Sequence, residues 1–369
     1  MTMRIGVLTA GNDVPGLNAA IRSIGKNAKG SNIELVGFHD GFSGLTEDRF
    51  THFLGPELSG ILTLGGTILG TQHELPVKDN EIESFIQLAS KNYISHKLDA
   101  LVILGGAMMQ IGALLLSEAG LNVISLPKSV SKDLYGTDYT IGFDTALSVA
   151  AEAIDRLHST AHSHHRIIIV EILGRYSGWL TLGAGIAGGA DVILIPEIPY
   201  NMKNVAKAIQ DRNKAGKKFS IVAVSEGAMT QENVAFFTRN QQINERIRKG
   251  NERESIQQRL KLIENKYSDN TNLLSNLLKE YTGLDTPVTI LGYLLRGGVP
   301  SAMDRLRATQ LGTMCIEMVK NGSYGFMLGF DGNEIIEIPL RNVAGVHHPV
   351  PLNHSWITSA RNVNTCFGD

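Results

Sequence analysis

Short runs of β-branched and aliphatic residues recur along the chain, each followed by a glycine-rich or polar stretch and then by a segment of helical period. Arg4–Ala10 (RIGVLTA), Glu34–Phe38, Asp99–Gly105 (DALVILG) and Asn122–Leu126 read as strands of continuous rather than alternating hydrophobicity. Leu17–Ala28 and Gln110–Glu118 read as helices between them. A second series follows at Arg166–Ile172 (RIIIVEI), Asp191–Pro196, Phe219–Ser225 and Val288–Leu294. A strand that is apolar on both faces must be covered on both faces, so the pattern predicts parallel sheets flanked by helices. In such sheets ligands collect beyond the carboxyl ends of the strands. The glycines fall there, at Gly11 and Gly16, Gly65–Gly66, Gly105–Gly106, Gly174 and Gly178, and Gly297–Gly298.

One stretch breaks the alternation. Arg239–Tyr281 is polar and of mixed charge, with apolar residues at helical spacing (Ile243, Ile247; Leu260, Ile263; Leu273, Leu274, Leu277, Leu278). It reads as surface helices inserted between a strand and the last ligand-binding segment.

At 369 residues the chain exceeds one ordinary core and suits two interlocked α/β lobes. Apolar content of 43% against 19% charge excludes a disordered chain. A net charge of −2 with interspersed signs leaves no footprint for nucleic acid or an anionic membrane, so an anion site must come from local arginines and backbone amides. Cys315 and Cys366 have neither metal-binding spacing nor a disulfide framework, which points to a reducing compartment. No leader pattern precedes Arg4, and no apolar run reaches the ~18 residues that span a bilayer, so a soluble cytoplasmic protein is expected.

The loops carry the candidate chemistry. Thr9–Ala20 (TAGNDVPGLNAA) runs from a strand through a glycine-rich turn into a helix, an arrangement that presents N–H groups to a phosphate. Leu104–Met109 (LGGAMM) ends a strand with no side-chain oxygen after Gly105 and Gly106. Leu126–Leu147 (LPKSVSKDLYGTDYTIGFDTAL) contains Ser131 and Asp133, and Gly65–His73 (GGTILGTQH) ends in a histidine. Arg166, Arg175 and Arg296 lie in HSHHR, EILGRYSGW and GYLLRGG, with Glu226 in SEG. The planar fork of arginine suits phosphate.

Together these segments resemble the 6-phosphofructokinases, ATP- or pyrophosphate-dependent. The resemblance runs from Arg4 to Cys366–Asp369, and is most specific at Gly136–Ala146, Gly174–Glu197 and the RGGVPSAMDR of Arg296–Arg305. It implies two Rossmann-like lobes with parallel-rich sheets. Residues 1–142 plus 297–348 form the lobe on the phosphoryl-donor side. Residues 143–296 plus 349–369 form the sugar-phosphate lobe, with a helical insertion at 239–281. A homotetramer or homodimer is implied, with a hetero-oligomer alongside an active relative as a further arrangement.

The resemblance also locates departures. Ser131 stands where the family keeps its general-base aspartate, a loss that typically costs ~10²–10⁴ in rate. Asp133 matches the second aspartate and is the one weak metal candidate; Lys128 matches a lysine common in pyrophosphate-using members. In the donor loops Asn12 follows Gly11 in place of a second glycine, and Ala107, followed by Met108, replaces an aspartate that helps hold Mg²⁺. His73 replaces an arginine. On the sugar side Arg166, Arg175, Glu226 and Arg296 match, whereas Tyr293 replaces a histidine and Pro287 an arginine. Arg22, Lys26, Asp191 and Lys217 match effector-site positions, with His158 in place of an arginine.

The losses concentrate on the donor and catalytic side. The expectation is therefore a pseudoenzyme: a member that binds fructose 6-phosphate or a similar sugar phosphate, with phosphoryl transfer lost or strongly impaired, as a regulatory or non-catalytic subunit or a paralogue. The alternative is an active 6-phosphofructokinase of glycolysis with rearranged catalytic residues, which would use Mg²⁺ with ATP or pyrophosphate.

Overall fold

The computed structural model describes residues 2–72, 81–234 and 270–369. The strands, in chain order, are β1 (Arg4–Ala10), β2 (Glu34–Phe38), β3 (Phe50–Phe53), β4 (Ala100–Gly105), β5 (Val123–Pro127) and β6 (Ile167–Ile172). They continue with β7 (Val192–Leu194), β8 (Ser220–Ser225), β9 (Val288–Ile290), β10 (Phe326–Asp331) and β11 (Glu334–Pro339). The chain divides into two units, Met1–Leu147 with Tyr293–His348, and Ser148–Gly292 with Pro349–Asp369.

The first unit holds a seven-stranded sheet in the order β11-β10-β5-β4-β1-β2-β3. Its interior pairs are parallel, and every residue of β4 and β5 is buried, as continuous apolar runs require. The two edges are antiparallel, β3 on β2 and β11 on β10. Neither edge strand is evident from hydrophobicity: FTHF is half-polar, and EIIEIP carries two glutamates. Gly332, at φ +58, opens the two-residue turn from β10 to β11. Helices Leu17–Gly30 and Ala302–Lys320 lie side by side, and Gly312 makes the approach possible, since a Cβ there would collide with Ser23 Oγ. Leu8, Phe38, Phe42, Leu101, Ile103 and Met327 lie in the core against the sheet.

The second unit holds a wholly parallel sheet in the order β7-β8-β6-β9. The predicted strand Val288–Leu294 stops at Ile290, where Gly292 at φ +44 turns the chain into a 3₁₀ helix over Gly292–Arg296. Residues 239–269 of the predicted insertion lie outside the described residues. In its remainder, helix Asn270–Thr282 buries Leu274 and Leu278 in the core of this unit, against Ile167, Val222 and Val224, and leaves Asn272, Leu273 and Glu280 exposed. Among the described residues no helix is long and apolar enough to cross a membrane.

Candidate active site

The loops after β1, β4 and β5 meet in the first unit. Gly11 adopts φ +87, and a Cβ on it would lie 3.0 Å from Lys128 Nζ and 3.1 Å from Met109 Cγ. Its N–H donates to the Gln72 carbonyl at 2.8 Å. Gly11, which precedes Asn12 in the donor loop, is therefore packed by side chains and has its donor engaged. Asn12 is half-buried, and its carbonyl accepts the ammonium of Lys128. Lys128 is itself buried, and burial lowers its pKa to about 7; Asp13 and Asp133 pull it up and Arg296 pushes it down. Beyond Gly105 and Gly106, Ala107 is buried, Met108 is half-exposed and Met109 is buried. The side-chain amide of Gln110 donates to the Gly105 carbonyl at 3.1 Å, closing the turn from within.

The segment after β5 is fastened by one buried carboxylate. Asp304, fully buried, accepts the Tyr139 hydroxyl, the Gly142 N–H at 2.7 Å, the Thr145 N–H at 2.8 Å and the Thr145 hydroxyl. Burial pushes its pKa up, and these donors partly offset the cost. The Ser301 side chain caps the same helix by accepting the Asp304 N–H at 3.1 Å. The family-like run Gly136–Ala146 is thus a folding element anchored on Asp304.

Upstream, Ser129 organises the substituted positions. Its hydroxyl donates to Asp133 Oδ1 at 2.5 Å and accepts the Ser131 N–H at 3.1 Å. Lys132 between them takes the left-handed φ of +53. Asp133 Oδ2 lies 3.4 Å from His347 Nδ1. Burial alone would raise the pKa of Asp133, but His347 and the Ser129 hydroxyl outweigh it and hold the carboxyl below the usual range. His347 was not visible as a site residue in the sequence, since a histidine pair before a proline carries no spacing signal.

Mg²⁺ needs several hard oxygens in near-octahedral array. Ala107 supplies none. No group of three or more His, Cys, Asp or Glu side chains is disposed to hold a metal among the described residues. The described side chains do not fit a protein-held Mg²⁺.

Arg296 also lies in the first unit, half-buried, with its guanidinium 5.1 Å from the ring centroid of the exposed Tyr293. Its buried Nε has no hydrogen-bond partner among the described residues. Arg22 is half-buried and Lys26 exposed one turn on along helix Leu17–Gly30. His73 lies outside the described residues.

In the second unit Arg175 and Glu226 are both exposed, beyond the carboxyl ends of β6 and β8. A Cβ on Gly227 would collide with the Arg175 carbonyl, so the glycine lets the Ser225–Gly227 turn close on Arg175. Arg166 precedes β6, and its Nε lies 3.3 Å from Asp285 Oδ2. Asp191 Oδ1 is 2.6 Å from the guanidinium of Arg212, and Oδ2 accepts the Ile221 N–H at 2.9 Å. Burial still leaves its pKa raised. Arg212, unmarked in the sequence, therefore neutralises one of the effector-like residues from within the chain. Lys217 is exposed, and its N–H donates to the Arg212 carbonyl at 3.0 Å.

The fold is that of a two-unit α/β protein, with Asp133, Arg175 and Glu226 beyond the carboxyl ends of parallel strands and Arg166 and Asp191 at the amino ends of β6 and β7. The family model described as Phosphofructokinase matches residues 4–319. The chain is 48% identical over 373 residues to the ATP-dependent 6-phosphofructokinase of Propionibacterium freudenreichii subsp. shermanii, covering 100% of both. It is 44% identical to the ATP-dependent 6-phosphofructokinase of Spirochaeta thermophila, covering 100% of this chain and 98% of the relative. Among solved structures it resembles phosphofructokinase from Saccharomyces cerevisiae, with a TM-score of 0.76 and 28% identity, over 98% of this chain and 47% of that one, so it spans about half of the yeast chain. The chain belongs to the phosphofructokinase family.

Proposed function

We propose that the chain is an active 6-phosphofructokinase that transfers a phosphoryl group from ATP to fructose 6-phosphate, with Asp133 as proton acceptor in place of the residue lost at Ser131. The observation that carries this reading is end-to-end identity of 48% with a relative named ATP-dependent 6-phosphofructokinase. That relative favours the active alternative over the lost-transfer expectation. In the reaction the sugar hydroxyl gives its proton to the Asp133 carboxylate as its oxygen bonds to phosphorus. The bond from phosphorus to the leaving diphosphate breaks, and the electron pair stays on the diphosphate. A carboxylate that accepts from Ser129 keeps spare lone pairs for this proton. Arg166, Arg175 and Glu226, with Tyr293 and Arg296, are the proposed sugar-phosphate contacts; Arg22, Lys26, Asp191 and Lys217 remain a proposed effector set. Assembly into a homodimer or homotetramer in the cytoplasm belongs to the same proposal.

A second reading, binding of the sugar phosphate without transfer, is favoured by one specific set of observations. Ala107 offers no oxygen, Ser131 no carboxylate, and the Gly11 N–H is already engaged. Purified protein assayed with fructose 6-phosphate and ATP separates the two. Turnover that depends on Asp133 supports the first reading, and saturable sugar-phosphate binding without turnover supports the second.

A further inference from the structure

A short strap, Gly345–His348, holds both the loop after β4 and the substituted segment after β5. Gly345, at φ +71, donates its N–H to the Ala107 carbonyl at 3.0 Å. Two residues on, His347 forms an isolated antiparallel bridge with Leu134, and the His348 N–H donates to the Asp133 carbonyl at 2.9 Å. The His347 ring then turns its Nδ1 to within 3.4 Å of Asp133 Oδ2, on the opposite oxygen from Ser129. Backbone and side chain of one dipeptide therefore fix both the position and the orientation of a single carboxylate.

We propose that His347 is the positioning residue of the substituted catalytic segment, holding Asp133 for proton transfer from the acceptor hydroxyl. The inference rests on the reading of the chain as an active phosphotransferase with Asp133 as acceptor. Three relationships favour it over a merely structural histidine. Asp133 is the only carboxylate between Lys128 and Gly136, so whatever orients it controls the acid–base chemistry left to that segment. Ser129 ties that carboxylate to the main chain at Ser131, the position where the family's base stands. The same strap is stitched to Ala107, so His347 is referenced to the donor loop as well as to Asp133. The titratable groups around His347 are Asp133 itself, His348 and Tyr135, whose rings stand edge to face at 6.4 Å, and Lys128, which acts on Asp133 through the field.

The test is steady-state kinetics of full-length wild type, His347→Ala and His347→Gln with fructose 6-phosphate and ATP across pH. Fructose 6-phosphate binding and thermal midpoints are measured on the same samples. His347→Ala is expected to lower kcat by roughly 10- to 100-fold, to move the acid limb of the kcat profile, and to leave KM for fructose 6-phosphate within about twofold. His347→Gln places an uncharged amide donor within reach of Oδ2 and is expected to recover part of the rate. Retention of wild-type kcat and pH profile by both variants would overturn the inference. So would equal losses in both that track a fall in thermal midpoint, because those belong to a structural residue. A wild type that binds the sugar phosphate but has no turnover overturns the functional reading itself and takes the inference with it. Because that outcome appears in the wild type and the others only in the variants, the two failures are distinct.

Discussion

The ammonium of Lys128 donates to the main-chain carbonyl of Asn12, joining the loop after β5 to the loop after β1. An ammonium without water around it is costly, and burial brings this one to about pH 7. The unfolded chain releases the same proton near 10.5. Between these values the unfolded state binds a proton that the folded state does not, so stability rises with pH across that window. The contribution is fully present above the upper value and lost as pH falls toward 7. Chemical denaturation at pH 7 and pH 9 should show Lys128→Met losing roughly 2 kcal/mol of the wild type's rise. Parallel pH dependence in wild type and variant would mean that the lysine is solvated.

Asp304 is the anchor of the segment that carries the proposed catalytic positions. Asp304→Ala leaves two buried N–H groups and two hydroxyls without their acceptor. It should cost about 3–5 kcal/mol in urea denaturation. Asp304→Asn keeps part of the acceptor capacity and should cost less. A loss within about 0.5 kcal/mol for the alanine variant would show that the Gly142–Thr145 turn is held by other contacts.

Arg175 is exposed and its main chain is fixed by the close approach of Gly227, so its guanidinium is available without unfolding anything. Arg175→Ala should weaken fructose 6-phosphate binding by about 10- to 100-fold in calorimetric titration, the scale of a lost charge-assisted pair. Its thermal midpoint should stay near wild type. Arg175→Lys should recover only part of the affinity, because an ammonium does not reproduce the planar fork. Unchanged affinity in the alanine variant would remove Arg175 from the binding set.

Much of the architecture was legible because it rests on burial. Strands such as Arg4–Ala10 and Arg166–Ile172 are apolar on both faces, and no other environment suits them. The edge strands Phe50–Phe53 and Glu334–Pro339 were not legible, because a half-solvated strand needs no continuous apolar run. Leu274 and Leu278 were visible as a helical stripe, but composition around them hid which surface they cover. In the candidate site, the resemblance to the 6-phosphofructokinases singled out Ser131, Asp133, Arg175 and Arg296. It did not reveal that Arg212 neutralises Asp191, that Lys128 and Met109 pack against Gly11, or that His347 faces Asp133. Each of these is a contact between segments distant in sequence, made by a side chain with no local pattern to mark it.

Asp133 carries the central claim, because it is the carboxylate left to accept a proton where Ser131 cannot. The most direct measurement compares turnover of purified wild type and Asp133→Asn with fructose 6-phosphate and ATP, with sugar-phosphate binding measured on both. Wild-type turnover is expected to be measurable and to fall by about 10²-fold or more in the variant, with binding retained. A wild type that binds fructose 6-phosphate yet turns over no faster than Asp133→Asn would contradict it, and would establish binding without transfer instead.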